Sequence, residues 1–203
     1  IPIAEQFGLI QKLQNIVLRD ICILLETLRA HNVLKNQFNV SINISQCQFN
    51  SSTLKGELFK AIETYDVLPS QIKLEITESM LAGDLMSTVK QMKELKSQGF
   101  VFSIDDFGTG YSCLKHLSVL PIDELKIDKS FIDKVLDNAS GQSIVQSIIG
   151  LGHSLDINIV AEGVESAEQL HILKSMGVNA VQGFLFAKPL THSNYLKWHK
   201  EHQ

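Results

Sequence analysis

The residues of this 203-residue chain best suited to chemistry are Asn43, Glu75, the adjacent pair Asp105-Asp106, Lys126, Glu162 and Gln182. Each ends, or lies close to the end of, a short apolar run. Polar side chains inside buried strands are costly unless paired or metal-bound, so six such positions in register ask for a common purpose. Three or more carboxylates and an amide oxygen make a hard, all-oxygen ligand set suited to Mg²⁺ or Mn²⁺. Adjacent aspartates can serve two ions, one carboxylate bridging and the other capping. Two ions about 4 Å apart activate a water and stabilise the leaving oxygen of an in-line phosphoryl displacement. Lys126 adds a fixed positive charge for the attacking water or the phosphoryl oxygens. These residues by themselves read as a metal-assisted phosphoester hydrolase.

The elements that must position them alternate. Apolar residues at helical spacing (Leu9, Leu13, Ile16, Val17, Ile21, Leu24, Leu28) predict a long amphipathic helix from Leu9 to Ala30. A strand follows over Phe38 to Ile44, a helix over Leu54 to Thr64 and a strand over Ile72 to Ile76. Asp84 to Ser97 reads as a helix ended by Gly99, and Val101 to Ile104 as a strand. A short helix over Ser112 to Leu120 stops before Pro121, and Glu124 to Ile127 is the next strand. Gln142 to Leu155 reads as a helix, Asn158 to Ala161 as a strand and Ala167 to Met176 as a helix. A strand over Ala180 to Gln182 and a helix over Asn194 to Glu201 complete the pattern. Six strands separated by helices predict an α/β fold with parallel strands and helical crossovers. An open doubly wound sheet should show a glycine-rich phosphate loop, and neither GxGxxG nor GxxxxGK occurs. In a closed (β/α)8 TIM-like barrel the carboxyl ends of the strands converge on one mouth, which suits the polar positions. Six strands are two short of that barrel, so the expectation is a barrel lacking its N-terminal strands.

Composition narrows the classes of function. A 44% apolar and 20% charged chain is that of an ordinary globular protein, of a length to form one domain. The net charge of −4 lacks the basic footprint that duplex nucleic acid or a membrane surface demands. No apolar run approaches a membrane span, since the stretch from Ile21 to Leu25 meets Glu26. No secretion-signal layout opens the chain. Three cysteines, Cys22, Cys47 and Cys113, without CxxC spacing, point to a reducing compartment and away from structural zinc. The seven histidines form no HxH or HExxH pair. The abrupt start at Ile1 reads as the interior of a longer protein.

At the strand ends the sequence resembles the EAL family of bacterial cyclic-di-GMP phosphodiesterases. The matching blocks are Val40-Ser41-Ile42-Asn43-Ile44-Ser45, Leu74-Glu75-Ile76-Thr77-Glu78-Ser79 and Asp105-Asp106-Phe107-Gly108-Thr109-Gly110-Tyr111-Ser112. Further on come Leu125-Lys126-Ile127-Asp128-Lys129-Ser130-Phe131, Ala161-Glu162-Gly163-Val164-Glu165 and Gln182-Gly183-Phe184 leading to Pro189-Leu190. The resemblance implies that Asn43, Glu75 and Asp105 ligate one metal, and Asp105, Asp106 and Glu162 a second. It implies that Lys126 orients or deprotonates the hydrolytic water, with Glu162 and Gln182 in the catalytic set and Gln182 and Pro189 against substrate. Glu78, Glu165 and Thr109 would support the loop from Phe107 to Ser112, which the family uses to couple dimer contacts to metal binding. The implied reaction is hydrolysis of cyclic-di-GMP to pGpG with two Mg²⁺ or Mn²⁺ ions, in the bacterial cytoplasm.

The family's namesake Glu-Ala-Leu tripeptide, with a metal-binding glutamate, is absent from residues 1–203. The expectation is therefore one EAL-type domain over 1–203, truncated before that segment and impaired as a fragment. A homodimer and an upstream sensory or GGDEF domain are expected from the family. The alternatives are an EAL domain that binds cyclic-di-GMP as a receptor without cleaving it, and an unrelated metal-dependent barrel stabilising an enolate. Plainer roles compete at single positions. The aspartate pair could be a solvated turn, Lys126 could pair with Asp128, and Glu78 could face a helix dipole. Gly108 and Gly110 are expected at positive φ, and Cys113 is expected to do no chemistry.

Overall fold

The structure, a computed structural model, describes residues 2–31, 33, 38–109, 114–137 and 139–202. In chain order the elements are α1 (Pro2–Gln6), α2 (Ile10–Ala30), β1 (Val40–Asn43), α3 (Gln46–Phe49), α4 (Leu54–Thr64) and β2 (Ile72–Thr77). They continue with α5 (Leu85–Ser97), β3 (Val101–Phe107), α6 (Leu114–Leu117), β4 (Glu124–Ile127) and α7 (Lys129–Ile132). The last are α8 (Ala139–Ser154), β5 (Asn158–Ala161), α9 (Ala167–Ser175), β6 (Ala180–Val181) and α10 (His192–Glu201). The chain forms two compact units. The first comprises Ile1–Ile76, Lys90–Val101 and His192–Gln203, and the second Thr77–Val89 and Phe102–Thr191.

In the first unit, α2 buries Gln14, Leu18, Ile21, Cys22, Leu25 and Leu28, a single stripe at helical spacing. It packs on α4, whose Leu54, Leu58 and Ile62 face the same core. Ser45 and Gln48 form a capping box that starts α3 directly after β1. β1 and β2 pair in parallel, with Ile42 opposite Leu74 and Asn43 opposite Glu75. Phe59 and Phe100 meet edge to face, their centroids 6.1 Å apart.

In the second unit, β3 to β6 pair in parallel and in chain order. The near-continuous burial of β4 and β5 (Leu125, Lys126 and Ile127; Ile159, Val160 and Ala161) is that of strands covered on both faces. α8 closes on β5 at Gly152, where any side chain would run into Ile159. Ser166 and Gln169 cap α9, and the Asp128 carboxylate caps α7 by accepting from the Ser130 N–H at 3.0 Å.

The expected elements are all present, several with identical bounds. Three differences bear on the site. β3 does not stop at Ile104 but runs through the aspartate pair to Phe107. α7, which the sequence reading omitted, occupies Lys129–Ile132 immediately behind Lys126. The helix expected over Ser112 to Leu120 is described from Leu114, while Gly110, Tyr111, Ser112 and Cys113 lie outside the described residues.

Candidate metal centre

A strand alternates its side chains, so consecutive aspartates on a regular strand would point to opposite faces. β3 avoids this with an irregularity in its pairing to β4 between Ile104 and Phe107. Asp106 sits there at φ 54°, in the left-handed region uncommon for a residue with a side chain. Bulges of this kind re-aim side chains beside functional sites. The result is that carboxylate oxygens of Asp105, Asp106 and Glu162 all lie within 4.8 Å of one another.

Lys126 comes from β4 between the two arms of that cluster. Its Nζ donates to Asp105 Oδ1 at 2.9 Å and to Glu162 Oε1 at 2.7 Å. The lysine side chain is 6% exposed, and the two carboxylates 15% and 17%. Charge-assisted bonds this short in so sheltered a place are strong and directional. Asp128 caps α7 and Lys126 bridges the acidic arms, so the Lys126–Asp128 pairing weighed from sequence gives way to a different division of labour. Glu162 is fixed by its own backbone, whose N–H donates to Ile127 O at 3.1 Å and extends the ladder one residue past β5. Three carboxylates against one ammonium leave the cluster anionic, which is the electrostatic condition for a divalent cation. The donor set is the hard oxygen type that Mg²⁺ and Mn²⁺ take.

The surrounding positions are as follows. Glu78, 3% exposed, accepts from the Gly108 N–H through Oε2 at 3.1 Å, so it holds the first turn after β3. Thr109 bonds back to Asp106 O through its hydroxyl at 2.8 Å and its N–H at 3.3 Å. Glu165 accepts from Lys129 Nζ at 2.8 Å, and its backbone N–H donates to Gln169 Oε1. Lys129 also donates to Asp133 at 3.1 Å, and its ammonium is pushed above the usual lysine range, first by Glu165 and then by Asp133. Gln182 is tied by its backbone to the Glu162 loop: its N–H donates to Ala161 O at 2.8 Å and its carbonyl accepts from Val164 at 3.0 Å. The Gln182 side chain is exposed, as is Pro189 between β6 and α10. In the first unit Asn43 and Glu75 face each other across the β1–β2 ladder; Glu75 is 5% exposed and Asn43 exposed. The Lys129 contacts were missed from sequence, although the lysine stands inside the matched Leu125–Phe131 block.

With this geometry in place, the likenesses to known proteins are specific. The EAL domain model matches residues 1–189. The bifunctional diguanylate cyclase/cyclic di-GMP phosphodiesterase MucR of Pseudomonas aeruginosa is 37% identical over 194 residues, 94% of this chain and 27% of that protein. The solved PaMucR phosphodiesterase in complex with c-di-GMP superimposes with TM-score 0.90 at 36% identity, covering 96% of this chain and 78% of that one. The manganese and cyclic-di-GMP complex of Klebsiella pneumoniae BlrP1 is 30% identical with TM-score 0.72, covering 77% of this chain and 40% of that one. The chain spans about a quarter of the length of the curated relatives it matches. The fold class is the TIM-like α/β type expected from the strand pattern. Matched along nearly all of its length by the family model and by solved EAL structures, the chain belongs to the EAL domain family.

Proposed function

We propose that this chain is the catalytic part of a phosphodiesterase that hydrolyses cyclic-di-GMP to linear pGpG. The observation that carries the reading is the cluster of Asp105, Asp106 and Glu162 with Lys126 bridging two of its members. Divalent magnesium or manganese, held by Asp105, Asp106 and Glu162, would supply Lewis acidity and a more acidic water. A relative solved with manganese and cyclic-di-GMP supports the choice of ion and ligand.

The protein's own groups have separable tasks. Lys126, donating to Asp105 and Glu162, is a fixed cation that orients the attacking water and the phosphoryl oxygens. Glu162 is the acceptor for the water's proton. The water oxygen bonds to phosphorus, the bond to the ribose 3′ oxygen breaks, and that oxygen takes up a proton to leave as a hydroxyl. The product carries a free 5′-phosphate. Gln182 and Pro189 contact substrate, and Glu78 and Thr109 hold the turn after β3. In this reading residues 1–189, matched as one family, act as a single domain within a longer bacterial signalling protein that works as a homodimer. Among the described residues no helix is long and apolar enough to cross a membrane.

The test is conversion of cyclic-di-GMP to pGpG by the longer protein that carries this chain, with Mg²⁺ or Mn²⁺, beside an Asp105→Asn control. Turnover lost in the control supports both reaction and metal role. Tight binding without turnover replaces the enzyme reading with a receptor.

A further inference from the structure

Two loops carry the acidic cluster, one after β3 and one after β5, and both touch the same short helix. Gly108, at φ +96°, lies directly on the Phe131 ring: a Cβ built there would come within 2.7 Å of Cε2 and 2.9 Å of Cζ. Gly163, at φ +69°, lies on the Lys129 stem, where a Cβ would come within 2.7 Å of the lysine Cβ and Cδ. Phe131 and Lys129 are two residues apart on α7, which Asp128 caps and which begins three residues after Lys126. One rigid turn thus presses on the backbone just past Asp105-Asp106 and just past Glu162, while its own strand delivers the ammonium that joins them.

We propose that Phe131 and Lys129 are positioning residues that set the spacing of the two acidic loops around Lys126. The proposal deepens the phosphodiesterase reading and rests on it for the role of the carboxylates. Magnitudes decide which part of Lys129 matters. Its ion pair with Glu165 is exposed, at 45% and 49%, and pairs of that kind contribute little. The stem is what Gly163 abuts, so the methylenes set the distance and the charge does not. At Gly108 the loop is held from two directions, by the Glu78 carboxylate on its N–H and by the Phe131 ring. Supports behind metal ligands commonly change affinity or activity about 10- to 100-fold when lost.

The test compares the full chain with Lys129→Ala, Lys129→Met, Phe131→Ala and Phe131→Leu. Readouts are Mn²⁺ affinity by electron paramagnetic resonance, the ¹⁵Nζ resonance of Lys126, and the separate kcat and KM for cyclic-di-GMP. Both alanine variants are expected to weaken Mn²⁺ binding about tenfold or more, to move the Lys126 resonance, and to lower kcat more than they raise KM. Lys129→Met and Phe131→Leu, which restore bulk, recover most of the loss. Folded alanine variants with an unmoved Lys126 resonance and wild-type Mn²⁺ affinity overturn the proposal. So does a Lys129→Met variant as impaired as Lys129→Ala, which would put the ion pair in charge. If an alanine variant does not fold, Gly108→Ala and Gly163→Ala press on the ring and stem from the other side, and an unmoved resonance there overturns it equally. The Lys126 resonance requires neither metal nor substrate. Failure of the longer protein that carries this chain to hydrolyse cyclic-di-GMP therefore removes the functional reading while the positioning is still decided.

Discussion

Lys126 is the residue at which stability and function draw on the same contacts. Its ammonium is sheltered and shared between Asp105 and Glu162, and removing one partner of a buried pair leaves uncompensated charge. Lys126→Met is expected to destabilise the fold by about 3 kcal/mol, the low end of such losses because both carboxylates keep some solvent. Mn²⁺ should restore part of the thermal midpoint, since a divalent cation at the acidic cluster replaces the missing positive charge. Thermal unfolding with and without the ion measures it; a midpoint indifferent to Mn²⁺ would separate the cluster from metal binding. Cys22 gives a residue-level pH effect of known sign. It is fully buried on α2, and burial pushes its thiol up to about 11 from the ordinary 9.0. The unfolded chain ionises first, so this contribution is whole below pH 9 and disappears as the pH rises to about 11. The unfolding free energy from urea titrations should fall between pH 8 and 10.5 by up to about 2 kcal/mol more in the native chain than in Cys22→Ala.

At the scale of elements, the bulge in β3 trades local comfort for geometry. A non-glycine residue in the left-handed region costs of order 1 kcal/mol, and here the residue also adds a third carboxylate to an anionic cluster. Asp106→Gly is therefore expected to raise the metal-free thermal midpoint while weakening Mn²⁺ binding about tenfold or more. Calorimetry for both quantities checks it, and a lower midpoint would mean that Asp106 stabilises the turn instead of straining it. The same element marks where the sequence was legible. Short apolar runs and helical spacing located the strands and long helices among the described residues, because burial on one or both faces leaves that pattern in the residue types. The bulge left no such trace, since Asp105-Asp106-Phe107-Gly108 reads equally well as a strand end followed by a turn. α7 was missed because four residues are too short for helical periodicity, although Asp128 before Lys129-Ser130 is a capping signal. Of the candidate site, Asp105, Asp106, Lys126 and Glu162, which the structure brings together, stood out by their place at strand ends, and Glu78 by the resemblance. The Lys129 and Phe131 contacts with Gly163 and Gly108 were not, because approach of one loop to another depends on tertiary spacing.

For the whole molecule the governing quantity is charge. The chain carries −4 at neutral pH, and its candidate site gathers three carboxylates around one lysine. Cyclic-di-GMP has two phosphodiesters and is itself a dianion. Two like-charged partners do not associate tightly through unscreened surfaces, and the site has no phosphate-cradling glycine loop of the GxxxxGK type to offset the repulsion. Binding should consequently depend on added cations in a valence-specific way. In EDTA the chain is expected to show no measurable heat with cyclic-di-GMP; Mn²⁺ or Mg²⁺ should restore binding, and NaCl at matched ionic strength should not. The comparison matters because monovalent salt screens repulsion at a Debye length of about 8 Å in physiological conditions but cannot bridge a carboxylate to a phosphate. Equal restoration by NaCl would reduce the acidic cluster to a background charge. Binding undiminished in EDTA would place recognition on the exposed residues past β6, Gln182 and Pro189 among them, and confine the role of the metal to bond cleavage.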